Sequence, residues 1–186
     1  MTIQHNVITD PDLHEPKGIA AASSGQVYVA NGSGSGTWQD KDKGLGAWTG
    51  FDSATPAYQH TTTTSDTVLD NTLTTGANDG FTIVTTPNLR ITYSGTETIT
   101  SFVQLSLATK QASGSDRNVE WVLFKNGTEL TGSRVIRTLS TNTWGSITLS
   151  TVVSLTTSDY LEIYTKADGA CTVDYASIQL IIQGHS

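Results

Sequence analysis

The sequence predicts an all-β protein, an antiparallel β-sandwich of jelly-roll type preceded by an extended N-terminal arm. Three observations carry that expectation. Apolar residues recur with period two in short runs, separated by polar turns at intervals of about 8–15 residues, and no stretch alternates with helices. Threonine is abundant, 32 of 186 residues, and a β-branched side chain with a hydroxyl suits a half-exposed strand. The closing stretch, Tyr160 to Gln183, reads as a hairpin reversing at Asp168-Gly169. Its first strand sets Leu161 and Ile163 against Glu162 and Tyr164. In the second, strict alternation places Val173, Tyr175, Ser177 and Gln179 on one face, with Thr172, Asp174, Ala176, Ile178, Leu180 and Ile182 on the other.

Taken in order, residues 1–50 read as an arm and residues 51–186 as the sandwich. Pro11 and Pro16 forbid both a helix and a regular central strand, and push Asp10 and Glu15 toward extended geometry. Ile19 to Gly25 reads as a helical turn or two, or as an irregular bend closed by the glycine. Gln26–Gly32 reads as a short strand ending in an Asn-Gly turn, before the flexible Gly32-Ser-Gly-Ser-Gly36. Tyr28, Trp38, Trp48 and Phe51 are large apolar surfaces that favour being covered, so the arm is expected to dock on something.

Tyr58–Thr64 reads as a polar edge strand, with Val68, Leu69 and Leu73 as sparse anchors. Strands follow at Phe81–Thr85, at Leu89-Ile91-Tyr93, and from about Thr98 through Val103, Leu105 and Leu107 to the polar loop that begins at Ala112. Asn118–Lys125 is apolar enough to be buried on both faces and turns back at Asn126-Gly127, a strong hairpin signal. Val135–Leu139, Trp144–Leu149 and Val152–Leu155 complete the set before the final hairpin. About eight strands with polar turns make a sandwich or jelly roll the expected architecture.

Composition narrows the function. Charged residues are only 15% of the chain, so its surface is mainly neutral Thr, Ser, Asn and Gln. A net charge of −7 disfavours general nucleic-acid or acidic-membrane binding. The single cysteine, Cys171, can form no intramolecular disulfide and reads as a small buried hydrophobe. The N-terminus lacks the pattern of a cleaved leader, and no run of 18 apolar residues occurs, so neither a leader nor a membrane span is expected.

The four histidines, His5, His14, His60 and His185, share no ligand spacing, and the acidic residues sit mainly in turns without the pattern of a calcium loop. Neither a metal nor a cofactor is expected. Glu97, Glu120, Glu129 and Glu162 read as solvated strand residues rather than as a glycosidase pair. Gly32-Ser-Gly-Ser-Gly36 lacks the strand-to-helix context of a nucleophile elbow and the lysine of a phosphate loop. Trp121 and Trp144 read as core residues rather than stacking platforms. No catalytic constellation emerges, and the chain does not read as an enzyme.

The phrase Ile8-Thr-Asp-Pro11-Asp-Leu-His14-Glu-Pro16-Lys-Gly18, followed by Gly25-Gln-Val-Tyr28-Val-Ala-Asn31-Gly32-Ser-Gly-Ser-Gly-Thr-Trp38, resembles the opening of tailed-bacteriophage head-fibre and capsid-decoration proteins. More loosely, Val153-Ser-Leu155 with Ser158-Asp159-Tyr160-Leu-Glu-Ile163, and Val173-Asp-Tyr-Ala-Ser-Ile-Gln-Leu180, resemble the closing strands of C1q/tumour-necrosis-factor jelly rolls, with Ser158 where those have glycine. The resemblance implies a homotrimer on the virion surface, made in the host cytoplasm and partnered by the phage major capsid protein or another virion component. Its arm would attach through Pro11, Leu13, His14, Glu15, Pro16, Lys17, Tyr28, Trp38 and Trp48. The alternative is a tail-fibre tip whose loops, with Ser115, Asp116, Arg117, Asn126 and Asp168, recognise a bacterial surface glycan.

Overall fold

The computed structural model describes residues 22–23, 26–30, 33, 36–40, 45–51, 58–70, 74–84, 88–141 and 143–185. Pro11, Leu13, His14, Glu15, Pro16 and Lys17, and most of the Ile19–Gly25 bend, lie outside them. Two compact units divide the chain, Met1–Asp42 and Lys43–Ser186.

In the first unit, β1 (Gln26–Ala30) and β2 (Gly36–Asp40) form an antiparallel hairpin in which Tyr28 stands opposite Trp38. The two rings meet edge to face, with centroids 5.4 Å apart. Gly36 is required beside them, because a Cβ there would collide with the Val29 carbonyl and the Tyr28 ring. Val27 and Val29 project exposed from the other face.

The second unit is the sandwich. Its strands are β3 (Leu45–Phe51), β4 (Tyr58–Thr62), β5 (Thr67–Val68), β6 (Thr74–Asn78), β7 (Phe81–Val84), β8 (Arg90–Tyr93) and β9 (Ile99–Gln111). They continue with β10 (Arg117–Lys125), β11 (Thr128–Glu129), β12 (Val135–Leu139), β13 (Gly145–Leu155), β14 (Tyr160–Ala167) and β15 (Cys171–His185). One sheet runs β13-β9-β15-β3-β6, with β4 also on β15. The other runs β10-β14-β8-β7, with β11 and β12 on β10 and β5 on β14. Numbering β4, β8, β9, β10, β12, β13, β14 and β15 as eight principal strands, the first sheet reads first-eighth-third-sixth. The second reads second-seventh-fourth-fifth. That interleaving of the chain's two halves is a jelly roll, as the sequence predicts.

The core lies between the sheets. Along β9, alternate residues from Ile99 to Gln111 are buried, and on β13 Ile147, Leu149, Val153 and Leu155 face the same interior. Across from them stand Val119, Trp121 and Leu123 of β10 and Leu161 and Ile163 of β14. Val122 is buried too, so β10 is covered on both faces at its centre, though Asn118 on the same outer face is exposed. Asn126 and Gly127 both take positive φ, 51° and 76°, the left-handed pair of a two-residue hairpin turn.

Several expectations are corrected. Leu45–Gly50 is not arm, because β3 pairs with Ser177–Gln183 of β15, and Trp48 stands opposite Leu180. Val152–Leu155 is not a separate strand: β13 runs unbroken from Gly145, and Trp144 lies just outside it. Strict alternation fails in β15, where the register against β9 shifts between Tyr175 and Ser177. The extra residue, Ala176, is a bulge that puts Val173 and Tyr175 in the core with Ile178, Leu180 and Ile182. Glu162, finally, is buried rather than solvated, and Cys171 is only half-buried against the core.

Candidate functional site

The predicted ligand residues separate into two groups. Ser115, Asp116 and Arg117 lie at the β9–β10 connection, and Asp168 lies in the β14–β15 turn beside it. The Asp168 amide donates to the Asn118 carbonyl (3.1 Å), and the Asn118 amide donates to Asp168 Oδ2 (3.2 Å). A Cβ on Gly169 would stand 3.1 Å from the Arg117 guanidinium carbon, so the small residue lets that side chain lie over the turn.

Asn126 is at the other end of β10, about 30 Å away at the rise of an extended strand. There it is a fastener. Its side-chain amide donates to Asp159 Oδ1 (2.6 Å), and its oxygen accepts the Tyr160 amide (2.9 Å). Asp159 Oδ2 also accepts the Thr156 amide (2.8 Å), the Thr156 hydroxyl (3.0 Å) and the Lys125 ammonium (2.8 Å). Burial alone would raise the Asp159 carboxyl, but donation from Lys125, Thr156 and Asn126 outweighs it and holds the group well below the usual carboxylate range.

The Ser115–Asp168 end carries a row of side chains that the sequence reading did not assemble. On the outer face of the first sheet, Lys110 of β9, Asp174 of β15 and Gln59 of β4 are consecutive cross-strand neighbours. Gln59 Nε2 donates to Asp174 Oδ1 (2.7 Å), and Lys110 Nζ stands 3.7 Å from Asp174 Oδ2. The same ammonium lies 5.0 Å from the centroid of Trp144, which is 42% exposed. Trp144 is therefore a surface platform, whereas Trp121 is fully buried and donates from Nε1 to the Tyr175 hydroxyl (3.0 Å). The setting of Trp144, in Ser140-Thr-Asn-Thr-Trp144-Gly145, is rich in turn residues and could have signalled a loop. Nothing in the sequence links Lys110, Asp174 and Gln59.

A second network joins the two sheets and reaches the surface at Asp70. Asp70 Oδ1 accepts from His60 Nδ1 (2.7 Å) and from the Tyr58 hydroxyl (2.9 Å), while His60 Nε2 lies 3.2 Å from Thr67 Oγ1. These partners hold the Asp70 carboxyl low against the burial that opposes them. Carboxylate, imidazole and hydroxyl follow in the order of a hydrolase relay. The Thr67 hydroxyl, however, donates to the Thr165 carbonyl at 3.0 Å, and Thr165 Oγ1 donates to the Glu120 carbonyl at 2.9 Å. The chain of bonds runs from β4 through β5 and β14 to β10, as an internal tie rather than an activated nucleophile.

Two further groups of charges are matched locally. Arg134 bonds to Asp66, Glu120 and Glu129, which raises its already high pKa. Buried Glu162 takes two bonds from Arg90 at 2.9 and 2.8 Å. Arg90 in turn lies 3.9 Å over the Tyr160 ring.

No protein-family model matches the chain, and no curated protein sequence matches it. Among solved structures, the PRD1 vertex protein P5 is similar with a TM-score of 0.48 and 15% identity, covering 77% of this chain and 96% of its own. Murine APRIL gives 0.46 at 10% identity over 75% and 98% of the two chains. Eiger TNF from S. frugiperda gives 0.43 at 11% identity over 76% and 92%. The fold assignment rests on the strand order described above.

Proposed function

We propose that this chain is a non-enzymatic structural virion protein that decorates a bacteriophage capsid as a trimeric head fibre. Its N-terminal unit attaches it to the particle, and its sandwich projects outward. The observation that carries self-association is the edge strand β13. From Thr138 to Ser158 the chain has 21 consecutive residues with neither a charge nor a proline. Among the described residues β13 pairs only with β9. Arg137 and Lys125 reach across to bond the Ser146 and Ser154 carbonyls at its two ends. Between those ends no charged side chain among the described residues guards the edge, and Val152 (65% exposed) sits opposite Phe102 (39% exposed) on the outer face. Soluble proteins blunt such edges with charge, proline or cover. Here copies of the same chain supply the cover.

The phage assignment draws on the resemblance across residues 8–38 and on the division into a small N-terminal unit and a sandwich. Light scattering after gel filtration should return about three times the 19.8 kDa chain mass, and the protein should sediment with purified particles. A monomer at micromolar concentration would overturn the trimer, and a protein absent from particles would overturn the virion role. The second reading, a tail-fibre tip, shares this fold, and the exposed Trp144 favours a surface-recognition role for it.

A further inference from the structure

We infer that the row Trp144–Lys110–Asp174–Gln59 is a glycan-binding site that takes a hexopyranose ring of a bacterial surface polysaccharide. This rests on the surface role proposed above and adds a place and a ligand chemistry to it. A pyranose presents one face of C–H groups and a rim of hydroxyls. Its recognition needs a flat aromatic surface beside fixed hydrogen-bonding groups, and the row supplies both.

Trp144 is exposed where Trp121 is buried, so part of its ring surface is open to solvent. Lys110 offers up to three donors on one nitrogen, and exposed Gln59 adds an amide with both donor and acceptor. Asp174 has a side chain only 6% exposed and works from below. It accepts Gln59 on one oxygen and faces Lys110 with the other, fixing both polar groups in line with the ring. Asp174 is thus a positioning residue, and Trp144, Lys110 and Gln59 are the ligand-facing ones.

The row's place in the fold agrees with exposure to a target. The chain enters the sandwich where Leu45 pairs with Gln183, and Gln183 pairs with Phe102. Lys110 is eight residues further along β9, about 26 Å away at the rise of a strand. The loop of Ser115 and Asp116 and the turn of Asp168 lie at that same far end. Within the β13 edge assigned to self-association, the exposed Phe102–Val152 pair is toward the near end, so copies that meet around that pair leave the row open. Three copies would convert a weak single-site contact into useful avidity.

The test is an array of purified O-chain and capsular polysaccharides probed with the full-length protein. Wild type should bind at least one polysaccharide. Trp144→Ala should weaken that binding about tenfold or more, and Lys110→Ala about threefold. Ile136→Ala, which removes a more exposed apolar side chain from the other sheet, should leave it unchanged. Absence of wild-type binding across the array overturns the inference, as does undiminished binding by Trp144→Ala. A fall in the solution mass of Trp144→Ala also overturns it, because another copy would then be covering the ring. The virion role is read separately by sedimentation with particles, which does not involve Trp144.

Discussion

At the residue scale the clearest contrast is between two carboxylates held below their usual range. Asp70 is 65% exposed, so solvent screens its bonds to His60 and Tyr58, whereas Asp159 is only 12% exposed beneath Lys125 and Asn126. Both titrate lower folded than unfolded, where the ordinary value is 3.8. As pH falls below that value the unfolded chain takes up protons first. Stability present above pH 4 is therefore lost progressively as pH falls through the lower folded values. Asp159→Asn should cost about 1.5–3 kcal/mol at pH 7 and flatten the acid loss, with Asp70→Asn doing less of both. Urea unfolding from pH 7 to pH 2 measures this, and an Asp70 effect equal to that of Asp159 would refute the ranking. Trp121→Phe removes the donor to the buried Tyr175 hydroxyl as well as ring volume, and should cost about 2 kcal/mol or more in the same assay.

At the scale of elements, β13 and β15 depart from simple alternation in opposite ways. β13 keeps its period through 11 residues, so its even-numbered positions point outward without interruption. Val152→Lys places a charge on that outer face without touching the core, and by the behaviour of surface substitutions should shift stability by only about 0.5 kcal/mol. It should nonetheless lower the solution mass from trimer toward monomer, because like charges would meet across the association surface. Unchanged mass would move the interface elsewhere. β15 instead breaks its period at Ala176, and the break keeps both halves of a 15-residue strand facing one core.

At the scale of the whole molecule, the division between units decides where the protein can be cut. Deleting residues 1–42 removes one compact unit and leaves the sandwich, including β3, complete. Deleting residues 1–50 strips all but the last residue of β3 from β15. The shorter deletion should keep the thermal midpoint of the sandwich while abolishing sedimentation with particles. The longer one should lower the midpoint by about 5 °C or more. If the protein lacking residues 1–42 still sediments with particles, attachment lies in the sandwich.

The sequence by itself determined what depends on near neighbours along the chain. Alternation, threonine content and the Asn126-Gly127 turn specified an all-β sandwich, because side-chain period and turn conformation are local properties. Tertiary structure decided what depends on pairing. Gln59 and Asp174 are 115 residues apart and meet only because β4 lies on β15. Asn126 and Asp168 look equivalent as polar turn residues, yet β10 carries their two loops to opposite ends. Trp121 and Trp144 have the same side chain, but only the closing of the sheets leaves one inside and the other out. The phase of Val173 and Tyr175 likewise turned on a single bulged residue, which the pairing with β9 imposes and the residue pattern alone does not mark.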